Sequence, residues 1–139
     1  MKENLRTVSL DHLNLTVSNF AETVDWYGKI FGFEVVEKGI YDGSPWGVLR
    51  SGDSMLCVYE SPERRTPDDD DTEKFHKIYH FGLRIHDRDA WEKTLRENRL
   101  RPKYGGQMRY PHSTSWYVVD PTGHTIEVAL WDDEEVRFG

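Results

Sequence analysis

The stretch SWYVVDPTGHTIEVALW, residues 115 to 131, decides the fold because it is typical of two strands joined by a sharp turn. In the second strand Ile126, Val128 and Leu130 share one face, and Glu127 lies on the other. A carboxylate in the middle of a half-buried strand costs free energy unless a positive charge compensates it. The alternation therefore predicts that Glu127 faces a concave, functional side of the sheet.

Two earlier strands share a pattern that places a histidine on one face. LDHLNLTV (10–17) and IYHFGLRI (78–85) alternate polar and apolar residues, with His12 and His80 at equivalent positions. A helical pattern follows each strand. Asn19 and Glu22 form a capping-box arrangement before the first helix, and Asp89 and Glu92 repeat that spacing before the second.

The repeat predicts an α+β fold made of two successive βαβββ modules in one domain of residues 1–139. Module 1 covers about residues 9–62 and module 2 about residues 77–133. The acidic segment between them, residues 63–76, is predicted to be a solvated linker because it lacks the spacing and glycine of a calcium loop. The later strands are predicted in FEVVEKG, WGVLRSG and MLCVYES of module 1, and in RPKYGG, SWYVVDP and HTIEVALW of module 2.

The two modules offer equivalent inward positions. Glu127 follows His80 by 47 residues, and the same offset from His12 leads to Tyr59, with Cys57 two residues earlier on the same face. Two imidazoles and one carboxylate on a concave surface can hold a divalent metal and leave coordination positions open. Alternatively, the histidines are neutral, hydrogen-bonded strand residues, and Glu127 pairs with Arg84 or Arg50.

Composition excludes several other classes of protein. A net charge of −7 over 139 residues, with no cluster of basic and aromatic residues, argues against nucleic-acid binding. No apolar run approaches the roughly 20 residues of a membrane span. The single cysteine, Cys57, excludes an internal disulfide and favours a reducing compartment, so we expect a cytoplasmic protein with a small-molecule partner.

The paired modules, the strands DHLNLTV and YHFGLRI, and the stretch WYVVDPTGHTIEV resemble the vicinal oxygen chelate superfamily. This superfamily includes glyoxalase I, fosfomycin-resistance enzymes, extradiol dioxygenases, methylmalonyl-CoA epimerase and bleomycin-resistance proteins. The resemblance covers about residues 9–132 and implies a divalent metal (Fe2+, Mn2+, Ni2+ or Zn2+) bound by His12, His80 and Glu127. It further implies a metal-dependent enzyme, a dioxygenase, lyase or transferase, that chelates two adjacent oxygens of a small substrate.

Other residues are expected to complete the site. Tyr117 and His112 are candidates for proton transfer. Glu60 falls on the opposite face of its strand from Cys57 and Tyr59, which argues against a fourth carboxylate ligand. The predicted substrate pocket consists of Asn14, Trp46, Cys57, Tyr59, Arg84, Arg109 and Ser115.

The resemblance also implies a glyoxalase-like open barrel that dimerisation completes. In a homodimer of this kind, His12 comes from one chain and His80 with Glu127 from the other. A competing hypothesis is a sequestering protein of the bleomycin-resistance kind, which binds a small molecule without chemistry. Such proteins usually lack the metal residues, so the presence of all three favours an enzyme.

Overall fold

The computed structural model describes residues 5–61, 63 and 78–138. The predicted linker therefore lies outside the described residues, except for Glu63. The structure contains two α-helices and eight β-strands in these residues. Their bounds are β1 Leu13–Val17, α1 Phe20–Phe31, β2 Glu34–Tyr41, β3 Ser44–Ser51, β4 Ser54–Glu60, β5 Phe81–Ile85, α2 Arg88–Glu97, β6 Met108–Arg109, β7 Ser113–Val119 and β8 Thr125–Trp131.

The strands form two separate four-stranded sheets with the same topology. The first has the order β1-β4-β3-β2 and the second the order β5-β8-β7-β6. In each sheet the first strand pairs with the last in parallel, and the other pairs are antiparallel. The prediction of two βαβββ modules is therefore confirmed. Each sheet has one face packed on its helix and one open face.

One strand prediction was wrong. We expected RPKYGG (101–106) to be a strand, but the strand at this place is β6, Met108–Arg109. Tyr104, Gly105 and Gly106 have φ values of 59°, 80° and 120°. Three successive residues with positive φ cannot extend into a strand, because extended backbone requires negative φ.

Both helices begin at side-chain caps, as the sequence predicts. The Asn19 side chain accepts a hydrogen bond of 2.8 Å from the backbone N–H of Glu22. The cap of α2 is Asp87, which accepts from Ala90 N at 3.0 Å, so the prediction of Asp89 was two residues too late. Asp89 instead lies in the first turn, where its negative charge interacts favourably with the positive end of the helix dipole.

The two modules pack through their helices into one hydrophobic cluster. The ring of Phe31 on α1 stacks on that of Trp91 on α2, with centroids 5.6 Å apart. The turn between β7 and β8 extends to the first module, since Thr122 Oγ1 accepts a hydrogen bond from Ser18 N at 3.1 Å. His124 Nε2 lies 3.1 Å from Thr16 O. These contacts leave both open sheet faces outside the shared core.

Neither helix of the described residues has the length and apolar character needed to cross a membrane.

Candidate metal centre and substrate pocket

Glu127 lies in the middle of β8 on the open face of the second sheet, where its side chain is 19% exposed. Its neighbours Ile126 and Val128 are fully buried on the helix side. Two polar groups approach the carboxylate. Ser115 Oγ on β7 donates to Oε1 at 2.7 Å, and His80 Nε2 lies 2.9 Å from Oε2. A local polar cluster thus stabilises the carboxylate among apolar strand residues.

His80 Nε2 and Glu127 Oε2 are hydrogen-bond partners at a separation that two neighbouring metal ligands also have. Adjacent ligands in an octahedral shell with bonds of about 2.1 Å are about 3 Å apart, which matches the 2.9 Å between Nε2 and Oε2. An imidazole nitrogen and a carboxylate oxygen suit the later divalent transition metals. The His80 side chain is 28% exposed, so its Nε2 edge can be reached from the open face. The donor set therefore fits a divalent metal.

The other ring nitrogen of His80 is unusual. Nδ1 is buried and has no hydrogen-bond partner among the described residues. A histidine that binds a metal through Nε2 keeps a hydrogen on Nδ1, and this group normally donates to an oxygen. No described residue therefore orients the His80 ring through this nitrogen.

His12 does not join this cluster within the chain. It lies before β1, its side chain is 46% exposed, and Nδ1 contacts Asp11 Oδ2 at 2.8 Å. In residues 5–61, 63 and 78–138, no group of three His, Cys, Asp or Glu side chains could hold a metal ion. One chain thus brings His80 and Glu127 together and leaves His12 apart. Neither Arg84 nor Arg50 forms an ion pair with Glu127 in these ranges.

The strand register corrects the predicted equivalence between modules. Asn14, two residues after His12, pairs with Cys57, and Gly82, two residues after His80, pairs with Glu127. Cys57 is therefore the structural counterpart of Glu127, and the assignment of Tyr59 was wrong by two residues. The second module has two more residues between its first and last strands, so a constant offset in sequence missed the match.

Glu60, the next carboxylate along β4, is on the helix side, as its parity predicts. Its Oε2 accepts a hydrogen bond of 2.7 Å from the backbone N–H of Phe20 in the first turn of α1. An anion at this position compensates the unpaired N–H groups and the dipole of the helix N-terminus. Glu60 is thus a structural residue of the first module.

Tyr117 lies beside Glu127 and is hydrogen-bonded to Tyr110, a residue that the sequence analysis did not identify. Its hydroxyl is 2.8 Å from that of Tyr110, and its ring meets the ring of His80 at 5.6 Å between centroids. Burial, the Tyr110 hydrogen bond and the charge of Glu127 raise the pKa of Tyr117 well above its ordinary value. The phenol therefore keeps its proton at neutral pH and can act as a hydrogen-bond donor.

No simple sequence signal points to Tyr110, which occupies the short connection between β6 and β7. His112 lies in the same connection, and its backbone carbonyl oxygen accepts a hydrogen bond of 3.0 Å from Asp132 N. The hydroxyl that reaches Tyr117 belongs to Tyr110.

The open face of the first sheet forms a pocket of about 560 Å³. Four of the predicted pocket residues line it together: Asn14, Trp46, Cys57 and Tyr59. The structure adds Thr16, Tyr41, Gly47 and Val58 to the lining. Ser115 belongs to the Glu127 cluster on the other sheet.

The two predicted pocket arginines do not line the first-module pocket. Arg109 pairs with Thr114, on the opposite face of β7 from Ser115, and its guanidinium contacts both oxygens of Asp132 at 2.6 and 2.5 Å. This contact lowers the pKa of Asp132 and raises that of Arg109. Arg84, on the edge strand β5, pairs with Ala129 and therefore shares the open sheet face of Glu127; it also borders a second cavity of about 340 Å³, which Phe31 and Trp91 line.

The described residues thus form two βαβββ modules, with a histidine–glutamate cluster on the open face of the second. The family model for the glyoxalase/bleomycin resistance protein/dioxygenase superfamily matches residues 9–128. The chain therefore belongs to this superfamily. Among curated protein sequences, none matched this chain.

Solved structures show the same fold. A glyoxylase/bleomycin resistance protein/dioxygenase domain from Frankia sp. EAN1pec is 15% identical with a TM-score of 0.77, covering 94% of this chain and 96% of that chain. Fosfomycin resistance protein FosX from Listeria monocytogenes, complexed with Mn(II) and sulfate, is 16% identical with a TM-score of 0.66, covering 90% and 93%. Lactoylglutathione lyase from Agrobacterium tumefaciens is 21% identical with a TM-score of 0.64, covering 89% and 94%.

Proposed function

We propose that this protein is a metal-dependent enzyme that binds a small substrate through two adjacent oxygens at a divalent metal. The observation that carries the proposal is the 2.9 Å separation of His80 Nε2 and Glu127 Oε2 on an open sheet face. The solved FosX structure, which holds Mn(II) on a related fold, supports it. Fe2+, Mn2+, Ni2+ and Zn2+ are the candidate ions.

The chain's own residues have separate tasks in this proposal. His80 and Glu127 hold the ion, and Ser115 orients the carboxylate through its hydrogen bond to Oε1. When bound, the ion supplies positive charge beside the substrate oxygens. Tyr117 lies beside Glu127 with its phenol protonated, so its hydroxyl can donate a hydrogen bond to a substrate oxygen; its raised pKa makes it a weak acid for full proton transfer. The Tyr110 hydroxyl is hydrogen-bonded to the Tyr117 hydroxyl and holds it in position. His112 remains a second candidate for proton transfer.

We also propose that the third ligand, His12, comes from a second copy of the chain. His12 is exposed and distant from the cluster, and both modules leave an open face. A homodimer in which module 1 of one chain covers module 2 of the other would complete both sites and close the barrel. A cytoplasmic location stays a prediction.

Mixed dimers test the proposal. Chains carrying His12→Ala and chains carrying Glu127→Ala are co-expressed with different affinity tags, and the heterodimer is purified through both tags without chelator. If ligands come from both chains, one of its two sites keeps all three. We expect one retained metal ion per heterodimer and two per wild-type dimer, measured by elemental mass spectrometry, and loss of metal from each single-variant homodimer.

The matched control is a heterodimer of His80→Ala and Glu127→Ala chains. Both substitutions fall on the same half of the site, so this combination restores neither site and should retain no metal. A metal-free His12→Ala/Glu127→Ala heterodimer, or a monomeric wild type by light scattering, would contradict the shared site. A metal-free wild type would contradict the metal-dependent function itself.

The uncharged pocket of the first module favours one second candidate, a protein that sequesters a small molecule without chemistry. The two functions differ in what metal removal does. A sequestering protein keeps its ligand affinity after the metal is lost, whereas the proposed enzyme loses turnover. Screening of the four metal forms against catechols, hemithioacetals and thiol–epoxide pairs would identify the reaction as that of a dioxygenase, lyase or transferase.

A further inference from the structure

The lining of the first-module pocket carries no positively or negatively charged side chain. Its eight residues are Asn14, Thr16, Tyr41, Trp46, Gly47, Cys57, Val58 and Tyr59. We propose that the part of the substrate held by this pocket is an uncharged, flat aromatic or apolar body, seated on Trp46, which carries no phosphonate or carboxylate group. This inference rests on the proposed function, because it assigns the pocket to the substrate of that site.

Packing against the neighbouring strand fixes the position of the Trp46 side chain. Trp46 on β3 pairs with Gly39 on β2, and a Cβ at residue 39 would lie 2.9 Å from the indole Nε1 and 3.1 Å from Cε2 and Cζ2. The indole therefore lies across the neighbouring strand, in space that any side chain at residue 39 would fill. This contact presents a flat aromatic surface to the pocket before any ligand arrives, which reduces the entropy cost of binding.

Two tyrosines extend the aromatic surface. Tyr59 pairs with Trp46 across β3 and β4, and its ring meets that of Tyr41 edge to face with centroids 6.2 Å apart. Aromatic rings bury large apolar areas and favour stacked or edge-to-face partners. The polar groups of Asn14 and Thr16, both on β1, lie at one side, where they can bind the substrate's oxygens. A volume of about 560 Å³ suits a small organic molecule.

The electrostatics of this pocket oppose a negatively charged group on the part of the substrate that lies in it. Burial raises the pKa of the Cys57 thiol, and the negative charges of Asp11 and Glu37 raise it further. These two carboxylates therefore act on the pocket with negative potential, and no lysine or arginine lines it to compensate. The net charge of −7 acts in the same direction. A neutral apolar body avoids both the repulsion and the cost of desolvating a charge.

A matched pair of probes tests the inference. 4-Methylcatechol and 3,4-dihydroxybenzoate share two adjacent oxygens and a ring, and differ by a methyl group against a carboxylate. Titrations at pH 7 under argon, followed by calorimetry and tryptophan fluorescence, are done with metal-loaded and metal-free protein. We expect 4-methylcatechol to bind about 10-fold or more tightly than 3,4-dihydroxybenzoate in both forms.

Variants of Trp46 test whether the first-module pocket causes the preference for 4-methylcatechol. Trp46→Ala should weaken 4-methylcatechol binding about 10-fold, and Trp46→Phe, which keeps an aromatic surface, should retain most of it while losing the ligand-dependent quench. Trp26→Phe, on the helix side of the same module, is the control and should change neither affinity nor quench.

Equal or tighter binding of 3,4-dihydroxybenzoate, or unchanged 4-methylcatechol binding in Trp46→Ala, would overturn the inference. Failure of the proposed function has a different signature, because it appears as a wild-type protein that retains no metal. In that case the preference between the two probes is still measured on the metal-free form.

Discussion

At the scale of single residues, buried polar groups in this protein lie in small clusters that satisfy them. Asp120 is the clearest case outside the candidate site. Its Oδ1 accepts hydrogen bonds of 2.9 Å from the backbone N–H groups of Thr122, Gly123 and His124, and Oδ2 accepts from the Tyr27 hydroxyl at 2.8 Å. The aspartate thus shapes the turn before β8 and ties it to α1. Glu127 is stabilised in a comparable way by Ser115 and His80.

These clusters predict how stability depends on alkaline pH. Burial, the charge of Asp120 and the hydrogen bond to it raise the pKa of Tyr27 well above 10.0, and the pKa of Tyr117 is raised as well. Above about pH 10 the unfolded chain loses these protons and the folded chain keeps them. The stabilisation is therefore fully present below pH 10 and is lost as pH rises, by up to about 1.4 kcal/mol per pH unit for each tyrosine.

Urea unfolding at pH 8, 10, 10.5 and 11 measures this effect. Tyr27→Phe should cost about 1 kcal/mol at pH 8, through loss of the bond to Asp120, and should show a shallower decline in stability above pH 10. Tyr117→Phe should also make the decline in the free energy of unfolding above pH 10 shallower. Identical slopes for wild type and both variants would show that these phenols ionise alike in the folded and unfolded chain.

The candidate site was partly predictable because strand alternation is a local property. It correctly assigned Glu127 and Cys57 to open faces and Glu60 to the helix side. It could not identify Tyr110, which reaches Tyr117 from an irregular connection, or the Asp132 contact of Arg109. Those contacts depend on how distant segments pack, and a single sequence carries no periodic signal for them.

At the scale of elements, the first helix is held at its N-terminus by two side chains from different parts of the chain. Asn19 caps it locally, and Glu60 reaches it from the end of β4. The local cap was predictable from the sequence, because its spacing is short. The contact from Glu60 was not, because it spans 40 residues. Similarly, residues 104–106 do not form the predicted strand, because all three have positive φ values.

Replacement of Glu60 separates its structural role from a role in metal binding. Glu60→Ala should lower the free energy of unfolding by about 1–2 kcal/mol, because the Phe20 N–H loses a charged acceptor at the helix N-terminus. Metal content by elemental mass spectrometry should stay at the wild-type level. Glu34→Ala, an exposed residue of β2, is the control and should change stability by less than about 0.5 kcal/mol.

A loss of metal from Glu60→Ala with unchanged stability would contradict the assignment and restore Glu60 as a candidate ligand.

At the scale of the whole molecule, the modules share one core, and Trp91 lies at its centre. The residue is 4% exposed, stacks on Phe31 of the other module and meets Trp116 edge to face at 6.4 Å. Because the cluster contains side chains of both modules, we expect the chain to unfold in one cooperative transition.

Trp91→Ala should destabilise the protein by about 3–5 kcal/mol and lower the midpoint of a single transition. Trp91→Phe should cost much less, because it keeps a stacking ring and removes an indole N–H that has no partner among the described residues. Circular dichroism and tryptophan fluorescence, recorded during the same urea titration, should give coincident curves. Two separate transitions would show that the modules unfold independently.

The register match between Cys57 and Glu127 has an evolutionary consequence. Two halves that share strand order, helix position and pairing, yet differ at such equivalent positions as Cys57 and Glu127, are what a tandem gene duplication followed by divergence would produce. After such an event one copy was free to specialise in aromatic surface and the other in ionisable groups. The ancestral half-length protein would have had to assemble from identical subunits, with the same residue at both of these positions.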